Sequence, residues 1–217
     1  MPTPDQYRQA MELVATTAVT QALRLVSVGD TDSLIDAVVP LIATYSDGTA
    51  ALAADSYDEA RETVMARTAF AATPIVADRE AKIIRGIQWA APSLYGDFPD
   101  IELGESRLAE VVQLETAMPF RDTILTNSQR DPSSVGWKRN PNPGACKFCT
   151  LLAGQGAIYK QPTARFASHT NCMCSASPVF DGDPGPEASV LQYVASQRTR
   201  TPNQRAQLRN YLASLPD

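Results

Sequence analysis

All four cysteines and the single histidine of this 217-residue chain lie between Cys146 and Cys174. They form Cys146-x-x-Cys149 and, nineteen residues further on, His169-x-x-Cys172-x-Cys174. Scattered cysteines fill core space, whereas paired ones converge on a point. A Cys-x-x-Cys turn lets two thiolates face a common centre, and Zn²⁺ takes four soft or borderline ligands in a tetrahedron. The segment is therefore expected to be pinned by one structural zinc, with Cys146, Cys149, His169, Cys172 and Cys174 as candidate ligands. Five candidates for four places leave one spare, expected among His169, Cys172 and Cys174, with Cys146 and Cys149 the firmest ligands. Two disulfides or four free thiols are the alternatives. The N-terminal Met1-Pro2-Thr3-Pro4-Asp5 lacks the basic start and apolar run of a secretory signal, which favours a reducing compartment and hence the metal. A closed four-ligand site holds a fold and keeps no open position for water.

The formal charge of −5 conceals an asymmetry. Residues 1–120 carry eight Lys and Arg against eighteen Asp and Glu. Residues 121–174 carry seven (Arg121, Arg130, Lys138, Arg139, Lys147, Lys160, Arg165) against Asp122 and Asp131. Opposed halves of this kind point to different partners, although ordinary solvated surfaces give the same balance. No stretch is expected to reach the apolar length needed to span a bilayer.

Up to about residue 130 the pattern is helical. Tyr7, Met11, Val14 and Ala18 mark the stripe of a first helix. Gly29-Asp30-Thr31-Asp32 ends it and caps the next, which continues with Leu34, Val38, Leu41 and Tyr45. Pro40 reads as a kink or break, and Ser46-Asp47-Gly48 as a turn or weak point. The Ala-rich run from Thr49 to Met65 is strong helix-forming sequence, with Leu52, Tyr57, Ala60 and Val64 on one side. Thr73-Pro74 breaks the chain, and a helix resumes from Asp78 to Trp89. Residues 92–101 read as a loop. Ser106 caps a helix through Met118, and Pro119 starts another to about Asn127. From Asp131 to Gly144 the chain is loop-like, with Trp137 as an anchor. Ala157-Ile158-Tyr159 suits a short strand. Residues 181–186 read as a linker, and Thr201-Pro202 as the start of a C-terminal helix.

Enzyme chemistry finds little support. A Ser-His-Asp or Cys-His arrangement needs a histidine free to move protons, and the metal motif claims His169. Lys82, Lys138, Lys147 and Lys160 leave a Ser-Lys dyad open, but no serine is singled out. No Walker-type or GxGxxG phosphate loop occurs. Asp58, Glu59 and Glu62 read as a solvated helix face. Lys147, Phe148, Arg165 and Phe166 resemble the basic and aromatic residues with which small zinc modules touch nucleic acid. Their spacing fits neither a two-cysteine two-histidine finger nor a retroviral knuckle.

From Trp137-Lys138-Arg139 to Phe180 the sequence resembles the C-terminal module of MuF-like minor head proteins of tailed phages, in particular those of phages infecting actinobacteria. Cys146, Cys149, Leu152, Ala153, Gly156, Tyr159, His169, Cys172, Cys174 and Pro178 carry the resemblance. Arg121-Asp122-Thr123-Ile124, Asn127 and Asp131 resemble the stretch preceding it, and residues 50–61 its Ala-rich helix ending in Tyr-Asp-Glu-x-Arg.

The resemblance implies a non-enzymatic minor capsid protein associated with the portal protein and other head proteins. Its place would be the head interior or portal vertex of the virion, reached from the host cytoplasm during assembly. It would aid head assembly and DNA packaging or ejection; non-specific contact with packaged DNA is suggested separately by the positive balance of residues 121–174. A capsid maturation protease and a zinc-dependent nucleic-acid-binding protein are the rival readings. The expected architecture is mainly α: a helical N-terminal region (1–130), a small zinc-stabilised α+β module (131–180), and a linker with a C-terminal helix (181–217).

Overall fold

The computed structural model describes residues 2–65, 70–154, 159, 165, 166, 168 and 171–181. The fold is mainly helical: α1 (Pro4–Arg24), a 3₁₀ turn (Leu25–Val28), α2 (Thr31–Val64), α3 (Glu80–Tyr95), α4 (Ile101–Arg130) and α5 (Lys147–Gly154). Strands β1 (Gly136–Asn140) and β2 (Ser175–Val179) form one antiparallel ribbon in which Trp137 lies opposite Pro178. Isolated pairing of Trp137 with Tyr159 extends it, each N–H donating to the other's carbonyl at 2.9 and 2.8 Å. The expected strand at 157–159 is thus represented by Tyr159, since residues 157 and 158 lie outside the described residues. The C-terminal helix and most of the linker also lie outside them.

The helix starts follow local chemistry. Thr3 caps α1 in a reciprocal box with Gln6, and Pro4 occupies the first turn, where a missing N–H costs nothing. Gly29, at φ +92°, makes the left-handed turn that Asp30 converts into the cap of α2 by accepting from Ser33 N–H at 2.9 Å. Along α1 the buried stripe is Tyr7, Met11, Ala15, Ala18 and Ala22, with Val14 half-buried.

α2 does not break at Pro40, and Ser46-Asp47-Gly48 lies inside one long helix and is not a turn. Pro40 sits inside one continuous helix, and Ser46 and Thr49 are buried against α4. Its buried face near the end is Ala50, Ala53, Ala54, Tyr57 and Arg61, whereas Val64 is exposed and Leu52 half-buried. By length and composition α2 is apolar enough to cross a membrane, contrary to the sequence expectation. Here its apolar residues are spent on other helices, for Leu34, Val38, Ile42, Ala53 and Tyr57 are buried in the shared core.

α4 is likewise one helix where two were expected, capped by Asp100 rather than Ser106. Pro119 has no N–H to donate to the carbonyl of Glu115, which ordinarily ends a helix. Ser46 Oγ approaches that carbonyl at 3.5 Å, and Thr49 Oγ1 donates to the next one, Thr116 O, at 2.7 Å. Two hydroxyls of α2 therefore satisfy carbonyls at the site of the proline, and α4 passes through. α3 runs on through Pro92 to Tyr95, so the expected loop shrinks to residues 96–100. Close approach of α3 and α4 requires Gly104, where a Cβ would stand 2.5 Å from Leu94 Cδ2.

Two clusters make up the core. One joins the second half of α1 and the first half of α2 to α3 and α4. The other joins the first half of α1, the ends of α2 and α4, and the Cys-rich segment, where Trp137, Cys149, Phe166, Cys172 and Cys174 pack with Phe120, Ile124 and Tyr57. β1 emerges from a stretch that reads as loop, and it is made by pairing with β2 and, at Trp137, with Tyr159.

Candidate metal centre

Cys149 projects from α5, whose first turn is set by Cys146, the carbonyl of which accepts from Thr150 N–H at 3.0 Å. Cys172 and Cys174 lie just before β2. Asn171 turns the chain into that segment at φ +59°, a left-handed conformation that asparagine tolerates. The ribbon and the turn bring the two halves of the motif together. The Sγ atoms of Cys149, Cys172 and Cys174 all lie within 4.8 Å of one another, and all three residues are buried. Cys149 Sγ and Cys172 Sγ are 3.7 Å apart. A disulfide brings its sulfurs to about 2.0 Å. A tetrahedral zinc with bonds of about 2.3 Å spaces them by about 3.8 Å. All four cysteines are free thiols, so the spacing and the donor set both fit a metal ion. Cys146 is half-buried, outside the tight trio, and its Sγ accepts from Cys149 N–H at 3.5 Å. His169 lies outside the described residues.

Two buried arginines surround the sulfurs. Arg121, from α4, donates through Nε to Cys174 O at 3.0 Å and through Nη2 to Cys172 O at 2.5 Å. It thereby holds both carbonyls of the Cys172-x-Cys174 segment. Arg139, from β1, points Nη1 at Cys149 Sγ at 3.6 Å. The Phe166 ring takes cation–π contacts from both guanidiniums, at 4.9 Å from Arg121 and 3.8 Å from Arg139. Cys174 Sγ donates to Asn142 Oδ1 at 3.2 Å.

The electrostatics favour a thiolate at the centre. Hydrogen bonds from Cys149 and Cys174 hold Cys172 far below the ordinary thiol range against the effect of burial, with help from the Arg121 charge. The same bond to Cys172 pushes Cys149 up, and burial adds to it. Burial pulls Arg121 below the usual guanidinium value and the cysteine charges oppose that pull. An arginine nevertheless stays protonated in a protein. Chemically the arrangement can hold a soft or borderline cation in a water-poor setting.

Of the five candidate ligands, the structure brings Cys149, Cys172 and Cys174 together, so Cys172 and Cys174 both join the group and Cys146, expected as a firm ligand, stands outside the tight trio. The basic patch is smaller than its sequence count, because Arg121 and Arg139 are buried among the sulfurs. Phe166 is also buried, and Phe148 packs against the core, so neither is an exposed surface for bases. Asp58 and Glu59 are half-buried; Asp58 Oδ1 accepts from Ala72 N–H at 2.9 Å, and only Glu62 stands fully on the surface. Sequence reasoning missed Arg121, Arg139 and Asn142 as parts of the centre. Nothing in the residue order distinguishes them from surface side chains.

Away from the sulfurs, two ion-pair sites tie α4 to the other helices. Arg61 Nε donates to Asp131 Oδ2 at 2.7 Å, both side chains being buried, and Tyr57 Oη reaches the same oxygen at 3.4 Å. Glu115 is buried between Arg79 and Lys82, with Lys82 Nζ at 2.8 Å from Oε1. The stretches of sequence around 50–61 and 121–131 thus meet at Arg61 and Asp131.

No curated protein and no solved structure matches the chain significantly. Residues 3–197, spanning both the helices and the Cys-rich segment, match the sequence model of the family described as VG15 protein. The chain therefore belongs to the VG15 protein family, a phage-related family of viral gene products.

Proposed function

We propose that this chain is a non-enzymatic minor capsid protein of a tailed phage, of the MuF-like head morphogenesis type, with its Cys-rich segment locked by zinc. The observation that carries the reading is the buried thiol trio set into the helical core. Sulfur donors at tetrahedral spacing favour zinc among common cellular cations, and a fourth ligand from Cys146 or His169 would close the set and leave no position for substrate or water. Cys149, Cys172 and Cys174 would hold the ion, and it would supply cross-linking rather than reaction chemistry. Arg121 orients the Cys172 and Cys174 carbonyls, and the helices present the acidic surface to protein partners. The portal protein and other head proteins are the partners this reading names, in the head interior or at the portal vertex, after assembly in the host cytoplasm. Exposed Arg130, Lys138, Lys147 and Arg165 offer a modest basic surface to packaged DNA.

The test is a phage carrying a nonsense codon in this gene, set beside quantitative mass spectrometry of purified wild-type virions. A few copies per virion, and heads that fail in assembly or DNA filling without the protein, are expected. Absence from virions and from head precursors would contradict the reading. So would cleavage of the major capsid protein by the purified chain.

A further inference from the structure

We infer that the end of the helical bundle remote from the cysteines is a docking surface for another head protein, which receives Phe98 in an apolar cleft rimmed by lysine or arginine. The inference rests on the capsid reading above and adds the surface and the chemistry of the partner. The cysteines and Trp137 pack with one end of α1, α2 and α4, whereas the other end is formed by two turns. These are residues 25–30, between α1 and α2, and residues 96–100, between α3 and α4. Tyr95 Oη ties them by donating to Val26 O at 2.6 Å. Phe98 is 95% exposed there, so it contributes almost nothing to the core. Val28, Ile101 and Leu103 are also exposed on or beside the two turns. Arg107, one turn along α4 from Leu103, covers the ring of exposed Trp89 at 4.7 Å and carries the patch onto α3. Single exposed apolar side chains are ordinary on a protein surface, whereas a group of them rimmed by polar residues marks a site of contact.

The α3–α4 turn holds Phe98 in place. Gly96 N–H donates to Pro92 O at 3.1 Å, and Asp100 caps α4 by accepting from Leu103 N–H at 3.1 Å. Between them Pro99 fixes its own φ and restricts Phe98 to extended backbone. An aromatic side chain presented on a fixed turn loses little freedom on binding, as the anchors of interfaces do. Charge identifies what it meets. At residues 24–32 and 96–103 the exposed charges are Asp30, Asp32, Asp97, Asp100 and Glu102 against Arg24. Capping accounts for Asp30 and Asp100 but not for Asp97. Such a rim repels DNA and anionic lipid, and it attracts a basic protein surface.

The experiment replaces Phe98 by photoreactive p-benzoylphenylalanine in the full-length chain made during infection, irradiates purified heads and maps the adducts by mass spectrometry. Leu13, exposed on α1, is replaced in the same way as a control. Position 98 is expected to join a different head protein at a segment carrying lysine or arginine beside apolar residues, and position 13 to give no such adduct. Phe98→Ser is expected to leave the melting temperature of the purified chain unchanged and to lower the copies per head about tenfold, the effect of losing an interface anchor. Asp97→Lys is expected to lower incorporation as well. In heads that contain the protein, adducts of position 98 to DNA or to a second copy of this chain, no adduct, or an equal yield from position 13 would overturn the docking surface and leave the capsid reading in place. Unchanged incorporation of Phe98→Ser, or a fall in its melting temperature, would do the same. Absence of the protein from heads would overturn this inference together with the capsid reading beneath it.

Discussion

Cys149 and Cys172, twenty-three positions apart in sequence, place their sulfurs 3.7 Å from each other inside the protein core. That distance is too long for a covalent bond and suits two ligands of one ion. Trp137, 2% exposed, packs in the same cluster, while Trp89 is 49% exposed. Removing the metal should loosen the segment around Trp137 and leave Trp89 as it is. In a Trp89→Phe background, a strong chelator should red-shift the emission and lower the melting temperature, and zinc should restore both. Emission unchanged by chelation would show that the segment packs without metal.

The Arg61–Asp131 pair makes a second prediction. Asp131 is fully buried, accepts from Arg61 and from Ser133 N–H, and ends α4. Asp131→Asn keeps the shape and leaves the Arg61 charge buried without its partner. It should destabilise the protein by about 3 kcal/mol, the cost of breaking a buried pair from one side. Denaturant unfolding measures this, and a double-mutant cycle with Arg61→Met should show strong coupling.

Glu115 gives a pH dependence whose sign is fixed. Burial pushes its carboxyl up, but hydrogen bonds and charges from Arg79 and Lys82 outweigh burial and hold it below the ordinary range. Its contribution to stability should be complete above the ordinary glutamate value of about 4.3 and disappear as pH falls through the folded value. Asp122, pushed up by burial, acts with the opposite sign, so the difference between wild type and Glu115→Gln is the informative quantity. Glu115→Gln should cost about 2 kcal/mol at neutral pH, and that cost should shrink on acidification. A cost constant down to acid pH would show that the ion pairs contribute nothing.

Thr49 should matter more than its type suggests. Its hydroxyl, fully buried, serves the Thr116 carbonyl next to the proline position in α4. Thr49→Val keeps the volume and removes the donor, leaving a buried carbonyl short of a partner at a cost of about 1–2 kcal/mol. Thermal unfolding of Thr49→Val against Thr49→Ser, which keeps the donor, separates the bond from the methyl group.

The meeting of Cys149, Cys172 and Cys174 was legible because clustered thiols at close spacing announce convergence, and the structure brings these three together. The Gly29-Asp30 boundary and the Ala-rich part of α2 were legible for similar local reasons. The unity of α4 was not, because Pro119 is tolerated through Ser46 and Thr49, some seventy residues away. Neither were Arg121, Arg139 and Glu115, because a charged residue reads as surface until its partners are known. The strand β1 exists through pairing with β2, and no alternating pattern announces it.

The central claim is that the Cys-rich segment is held by a metal, and native mass spectrometry of the purified chain tests it most directly. The account predicts one zinc per chain, lost in Cys149→Ser and in Cys172→Ser. A folded chain at its metal-free mass, with thiols free or oxidised to disulfides, would contradict it.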